Sequence, residues 1–236
     1  MTAILNQHEN YLQADQAYGF PLLIKNLLSR AKVVSGDKKI HYADKTSYTY
    51  HEFFKRVNRL ANVLKGLNLQ KGDVVAVMDW DTHRYLECYF AIPMCGYILQ
   101  TVNVRLSEDK VLYTINHAKP KALLLNSEFS PMIKSHTQDA PSVEHVIWLD
   151  DNNTPMPSYA QGEYEAMLAQ ASDEYEFEDF DENTIATTFY TSGTTGNPKG
   201  VFFSHRQIVM HTLIVAVANA LNIEGQGLRY SDVYMP

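Results

Sequence analysis

The sequence predicts an α/β protein with mostly parallel sheets flanked by helices. Three observations lead there. Residues 74–78 are a continuous apolar run, as expected of a strand buried on both faces; 122–125 read as another buried strand and 143–149 as a further strand. Between them lie stretches with apolar residues at helical spacing, such as Phe53, Phe54, Val57, Leu60, Ala61 and Leu64. The strand–helix order repeats, which favours parallel pairing with helices on both faces. A chain of 236 residues can form one sizeable domain or two small ones.

In chain order, residues 1 to about 35 carry a helical pattern through Leu22, Leu23, Leu27 and Leu28, ended by Gly36-Asp37. Ile40-His41-Tyr42 and Ser47-Tyr48 flank an Asp44-Lys45 turn and predict a small hairpin. Thr49 opens a helix, and Glu52 three residues on completes a capping box. Gly66 is expected to end that helix as a left-handed cap. Lys71-Gly72-Asp73 turns into the strand at 74–78. Tyr85, Leu86, Tyr89 and Phe90 mark a helix running to Pro93 and Gly96, and residues 97–102 read as a strand. Ser107 is placed to cap a helix bearing Val111, Leu112 and Ile115, which Pro120 ends. After the strand at 122–125, a helix is expected near residues 128–137.

From 150 to 182 the order loosens around Pro155, Pro157 and Gly162, with one short helix near 164–169. Asp173, Glu174, Glu176, Glu178, Asp179, Asp181 and Glu182 form an acidic run. It reads as a solvated segment, because like charges repel and nothing basic is interleaved.

Composition narrows the function. With 45% hydrophobic and 20% charged residues this is an ordinary globular chain. A net charge of −7 argues against nucleic acid or an anionic membrane as the main partner. Residues 1–10 show no basic region followed by an apolar core, so no secretory signal is expected. Cys88 and Cys95 sit in an apolar stretch and read as packing residues, with a nucleophile or disulfide as the minor reading. Both facts suit a reduced, cytoplasmic setting. The most apolar long run, 208–223, is interrupted by His211, Thr212, Asn219 and Asn222. It is better read as a buried helix than as a membrane span.

The chemistry concentrates at residues 190–201. Tyr190-Thr191-Ser192-Gly193-Thr194-Thr195-Gly196-Asn197-Pro198-Lys199-Gly200-Val201 lies between two strand-like runs, Ile185, Ala186, Phe189, Tyr190 and Val201, Phe202, Phe203. Glycines let backbone N–H groups turn inward as an anion nest. Serine and threonine hydroxyls add rotatable donors, and Lys199 adds a charge that can follow a phosphate. Pro198 limits the slack just before that lysine. The loop is not a Walker A, which needs the lysine directly after a glycine and a helix at once behind it. Ser204 then sits where a helix N-cap is needed. Ser204-His205 lacks a nucleophile elbow, and the other histidines lack metal-ligand spacing. His205 is a weaker candidate to line the loop.

The uninterrupted Thr191-Ser192-Gly193-Thr194-Thr195-Gly196-x-Pro198-Lys199-Gly200 string resembles the phosphate-loop signature of the adenylate-forming superfamily. Thr49-Tyr50-x-Glu52 with its helix and the Lys71-Gly72-Asp73 turn resemble an early segment of those synthetases. Asn103-Val104-Arg105-Leu106-Ser107 and Ile115-Asn116-His117-Ala118 are similar to a region of medium- and long-chain fatty-acyl-CoA synthetases. Asp232-Val233-Tyr234-Met235-Pro236 is similar to the lead-in to the family's Pro-Met-Phe-His element.

The resemblance implies a two-step reaction. A carboxylic acid, here a fatty acid, is activated with ATP to an acyl-adenylate and then passed to coenzyme A. It implies that Thr191, Ser192, Gly193, Thr194, Thr195 and Lys199 contact the ATP phosphates, with Thr191 and Lys199 closest to the chemistry and Thr191 also supporting Mg²⁺. Gly196 and Gly200 would shape the loop. It divides the chain into an N-terminal helical segment, 1–39, and a partial AMP-binding domain, 40–236. Because the family's later motifs are absent, it implies an N-terminal portion of a synthetase whose full-length form is a homodimer. Exposed sheet edges and apolar surface are therefore expected. An aryl-CoA ligase, another adenylation domain and a non-catalytic nucleotide-binding fragment stand as alternatives.

Overall fold

The computed structural model describes residues 19–133, 136–191, 196–220 and 232–233. An antiparallel hairpin, β1 (Lys39–Tyr42) and β2 (Thr46–Thr49), precedes the main sheet. That sheet grows from β3 (Val74–Met78). β4 (Ile98–Thr101) pairs in parallel on one side of it and β5 (Ala122–Asn126) in parallel on the other. β6 (His145–Leu149) and the short β7 (Gly162–Glu163) extend the β5 side; β8 (Ile185–Thr191) and β9 (Lys199–Ser204) extend the β4 side. Every pairing in the seven-stranded sheet is parallel except β8–β9, which is antiparallel.

The pleat sorts each apolar strand between two cores. Val75 and Val77 face one core with Ala122 and Leu124, while Ala76 and Met78 face the other with Leu123 and Leu125. The first core is covered by α1 (Ile24–Val34), α2 (Tyr50–Gly66) and α3 (His83–Met94). The second is covered by α4 (Glu108–Ala118) with the short segments behind β5, which end in the one-turn α5 (His136–Asp139). α6 (Tyr164–Gln170) returns to the first core through the buried Tyr164 and Leu168. α7 (His205–Ala220) follows β9.

The cap at Thr49 forms as expected: Glu52 N donates to Thr49 Oγ1 at 3.2 Å. The Glu52 carboxylate turns instead to Arg59, 2.8 Å away. Gly66 is not the left-handed cap. It is the last helical residue, and the positive φ of 56° falls on Asn68. The buried Leu67 continues the helical turn into the core, and asparagine tolerates the left-handed region that follows. The helix expected near 128–137 is replaced by a 3-10 helix, Ser127–Met132, and by α5. Pro131 withholds a backbone donor there, and the Asn126 side chain caps the start by accepting from Glu128 N at 2.9 Å. Ser107 precedes α4 as expected, yet its side chain makes no capping bond to the backbone.

The acidic run also differs from expectation. It is a strap tied by ion pairs: Asp173 to Lys55 and Arg59, Glu178 to Lys71, Asp179 to Lys25 and Glu182 to Arg206. Tyr175 and Phe177 pack between these ties against the first core. The cationic partners come from distant segments, so no basic residue needs to be interleaved in the run itself.

Candidate functional site

The loop expected to bind phosphate joins β8 to β9, at the carboxyl end of a strand that runs parallel to β4. Thr187 donates to Leu99 O at 2.9 Å, and Thr188 donates to Val201 O at 3.0 Å. Those two hydroxyls are consumed in fixing the hairpin. Thr191 Oγ1 makes a long 3.5 Å approach to Lys199 O, and the residue is exposed. Thr191 and Lys199 are direct cross-strand partners, so the first hydroxyl of the loop and its lysine stand at the same level of the hairpin. Lys199 is exposed. Ser192, Gly193, Thr194 and Thr195 lie outside the described residues.

The base of the loop is held from three sides. Gly196 has φ of +100°, a conformation that favours glycine, and Pro198 is buried. Gly200 faces Tyr190 across the hairpin, and a Cβ there would meet the Tyr190 ring at 3.4 Å. Tyr190 OH shares a 2.8 Å hydrogen bond with His117 Nδ1, tying β8 to the end of α4.

At the start of α7, Ser204 N donates to Gln207 Oε1 at 2.9 Å and Gln207 N donates to Ser204 Oγ at 3.3 Å, a complete capping box. His205 does not line the loop. Its ring is fully buried against Phe180, and its Nδ1 accepts from Ile24 N at 3.3 Å. Burial pushes this imidazole down to about 4, against a smaller upward pull from the Pro93 carbonyl. Cys88 and Cys95 are buried free thiols, and burial pushes Cys95 up to about 12, so both serve packing.

A second polar constellation gathers under the β1–β2 hairpin. Glu87, wholly buried on α3, accepts from Arg56 Nε at 2.7 Å, Tyr48 OH at 2.7 Å and Tyr164 OH at 2.6 Å. Glu165 joins Arg56 to Arg84 and His83. Asp151 accepts from Arg84 Nη2 at 2.7 Å, Tyr42 OH at 2.9 Å and Lys45 Nζ at 3.0 Å. Burial would raise Asp151, but hydrogen bonds from Arg84 and Lys45 outweigh it and bring the carboxyl down to about 2. Burial opposes Glu165 too, and bonds from His83 and Arg56 still hold it well below the usual carboxylate range. Its members lie between residues 42 and 165, without any local spacing. The available signal was Arg56 and Glu87 standing inside otherwise apolar helical faces.

The β9–α7 region is its opposite. Phe202 and Ile214 are each 62% exposed, and Leu213, Val215 and Val217 are also exposed. The expectation of exposed edge and apolar surface is met here; the expectation that 208–223 is a buried helix is not, for the part described. Among the described residues, no helix is long and apolar enough to cross a membrane. Among the same residues, no group of three or more His, Cys, Asp or Glu side chains could hold a metal ion.

Comparison with known proteins adds family-level findings. The profile of a family described as "AMP-binding enzyme" matches residues 28–236. A medium-chain-fatty-acid–CoA ligase of Ectopseudomonas oleovorans is 33% identical over 211 residues, covering 87% of this chain and 39% of that protein. A long-chain-fatty-acid–CoA ligase of Thermus thermophilus is 34% identical over 210 residues, covering 89% and 36%. The crystal structure of ATP-bound MatB from Rhodopseudomonas palustris superposes with a TM-score of 0.71 at 25% identity, over 84% of this chain and 38% of that one. The chain thus spans well under half the length of the relatives it matches.

Proposed function

This chain belongs to the AMP-binding enzyme family, and from that premise we propose that it supplies the phosphate-binding part of a fatty-acid–CoA ligase. The carrying observation is the β8–β9 hairpin, which sets Thr191 and Lys199, both exposed, directly across from each other at the mouth of a glycine-rich loop. A carboxylate oxygen attacks the α-phosphorus of ATP. The bond from that phosphorus to the bridging oxygen breaks, and pyrophosphate leaves. The thiol of coenzyme A then attacks the acyl carbonyl and AMP departs.

Lys199 acts as the counter-charge for the leaving pyrophosphate, where negative charge builds as the bond breaks. Thr191 donates from the near wall, and Ser192, Gly193, Thr194 and Thr195 complete the cradle with hydroxyls and backbone N–H groups. Mg²⁺ neutralises phosphate charge when bound and takes few protein ligands; the exposed Thr191 oxygen suits that limited role. Residues 40–236 are the partial domain that carries this loop, with 1–39 preceding it. The whole ligase, in this reading, is a cytoplasmic homodimer.

The test is ATP binding by the 236-residue chain, together with acid-dependent ATP–pyrophosphate exchange. ATP binding that weakens at least tenfold in Lys199→Ala supports the loop assignment, since a charge-assisted contact is worth about 1.5–3 kcal/mol. Binding indifferent to Lys199 removes the loop from the mechanism. Exchange with a medium- or long-chain fatty acid fixes the substrate class, and preference for an aryl acid selects an aryl-CoA ligase instead. Nucleotide binding with no acid-dependent exchange in this or a longer form assigns a non-catalytic module.

A further inference from the structure

The rung that carries Thr191 and Lys199 stands past the end of the parallel ladder. β4 pairs with β8 as far as Thr101 and Phe189, and the pairs Tyr190–Gly200 and Thr191–Lys199 lie beyond it. A two-stranded ribbon is marginal in water unless something packs against it. Here the last turn of α4 does so. Tyr190 OH and His117 Nδ1 share their 2.8 Å hydrogen bond while the two rings meet edge to face, centroids 5.7 Å apart and planes at 89°. Tyr113, one turn earlier on α4, stacks on His117 at 5.8 Å.

This brace has a fixed foot. Val111, Thr114 and Ile115 of α4 are buried. Gln100, wholly buried on β4, donates from Nε2 to Thr114 O at 3.2 Å. Gln100 is also the ladder partner of Thr188, two residues before Tyr190. Position 100 therefore joins α4 to the same strand that the brace holds. The head is fixed too. The Tyr190 ring lies against Gly200, where a Cβ would stand 3.4 Å from it, so one ring sets the spacing of both strands at the rung beside Thr191 and Lys199. The pleat turns Thr191 and Lys199 toward the opposite face, which keeps the brace out of a ligand's way.

We propose that His117 and Tyr190 are positioning residues, whose bridge holds the Thr191–Lys199 rung in place and so sets how tightly the loop binds the phosphates of ATP. The inference rests on the reading of residues 190–201 as the phosphate loop. His117 is exposed, so replacing it changes global stability little. Its effect falls instead on the placement of the charged rung, where a small displacement is costly to binding.

The experiment measures ATP affinity and the urea midpoint for the 236-residue chain and for Tyr190→Phe, His117→Leu, the pair combined, and His117→Asn. Tyr190→Phe removes the hydroxyl and keeps the ring over Gly200. Asparagine keeps a hydrogen-bonding atom at the place of Nδ1. Tyr190→Phe and His117→Leu should each weaken ATP binding about three- to tenfold, the range of one lost hydrogen bond, at an unchanged urea midpoint. The combined variant should be no weaker than either alone, and His117→Asn should restore most of the affinity. Full affinity in Tyr190→Phe, additive losses in the pair, or no rescue by asparagine overturns the proposal, while a loss in Lys199→Ala still upholds the loop. ATP binding indifferent to Lys199 overturns the loop reading itself and this inference with it. If Tyr190→Phe fails to fold, the His117 variants alone decide between rescue and no rescue.

Discussion

At the β6 end of the sheet, polar side chains are buried and largely satisfied by one another; at the β9 end, apolar side chains stand in solvent. Glu87 is wholly buried yet carries three partners, whereas Ile214 is apolar and 62% exposed. The two regions divide stability and chemistry between them. The charge constellation ties the hairpin, α2, α3 and α6 into one unit. The hairpin that carries the phosphate loop is anchored through β4 and His117. Local stability of this kind is drawn low where a ligand must be gripped and released.

The sharpest way to break this comparison is Glu87→Ala. Removing one member of a buried charge network leaves its partners uncompensated, so the chain should lose about 3–5 kcal/mol in urea unfolding. A loss below about 1 kcal/mol would mean that the constellation does not knit the region.

Acid should then separate the two ends. His205 is held neutral, its value lowered from 6.5 to about 4, so the unfolded chain binds more protons than the folded one in that window. Stability therefore falls as pH drops from 6.5 toward 4, through the contacts joining α1 to α7. Asp151, lowered from 3.8 to about 2, contributes stability that is intact above 3.8 and lost as pH falls toward 2. Hydrogen exchange across a pH series should show α7 loosening before the hairpin; the reverse order would overturn the assignment.

A smaller effect is expected at Gly196. Gly196→Ala places a side chain at φ of +100° and should cost more than about 1 kcal/mol or displace the loop, visible as weaker ATP binding. Smallest of all, Ile214→Lys on the exposed face of α7 should change stability by no more than about 0.5 kcal/mol while raising solubility. A large destabilisation there would show that α7 is packed in solution.

The sequence made the sheet legible wherever a strand is buried on both faces, because Val74–Met78 and Ala122–Asn126 carry their environment in their composition. Capping was legible at Thr49 and Ser204, where partners lie three residues apart. Gly66 misled because a glycine near a helix end permits a left-handed turn without requiring one, and Asn68 took it. The acidic strap and the charge constellation were hidden for a common reason. Their partners are far apart in the chain, up to 160 residues for Glu182 and Leu22, and no local pattern encodes such pairs. At the candidate site, the loop was visible from its glycines and hydroxyls. The roles of His117 and Tyr190 in bracing it came only with the fold.

The placement of β8 between β4 and β9 also sets an order of assembly. Joining β8 to β9 closes a short turn, since Thr191 and Lys199 are eight positions apart. Joining β8 to β4 spans 88 positions between Leu99 and Thr187. Chain-closure entropy makes the longer joining dearer by about 2 kcal/mol, from its logarithmic dependence on loop length. The phosphate hairpin can thus form by itself early and be seated on the sheet late. A newly made chain would own the shape of its nucleotide loop before it owns the platform that aims it.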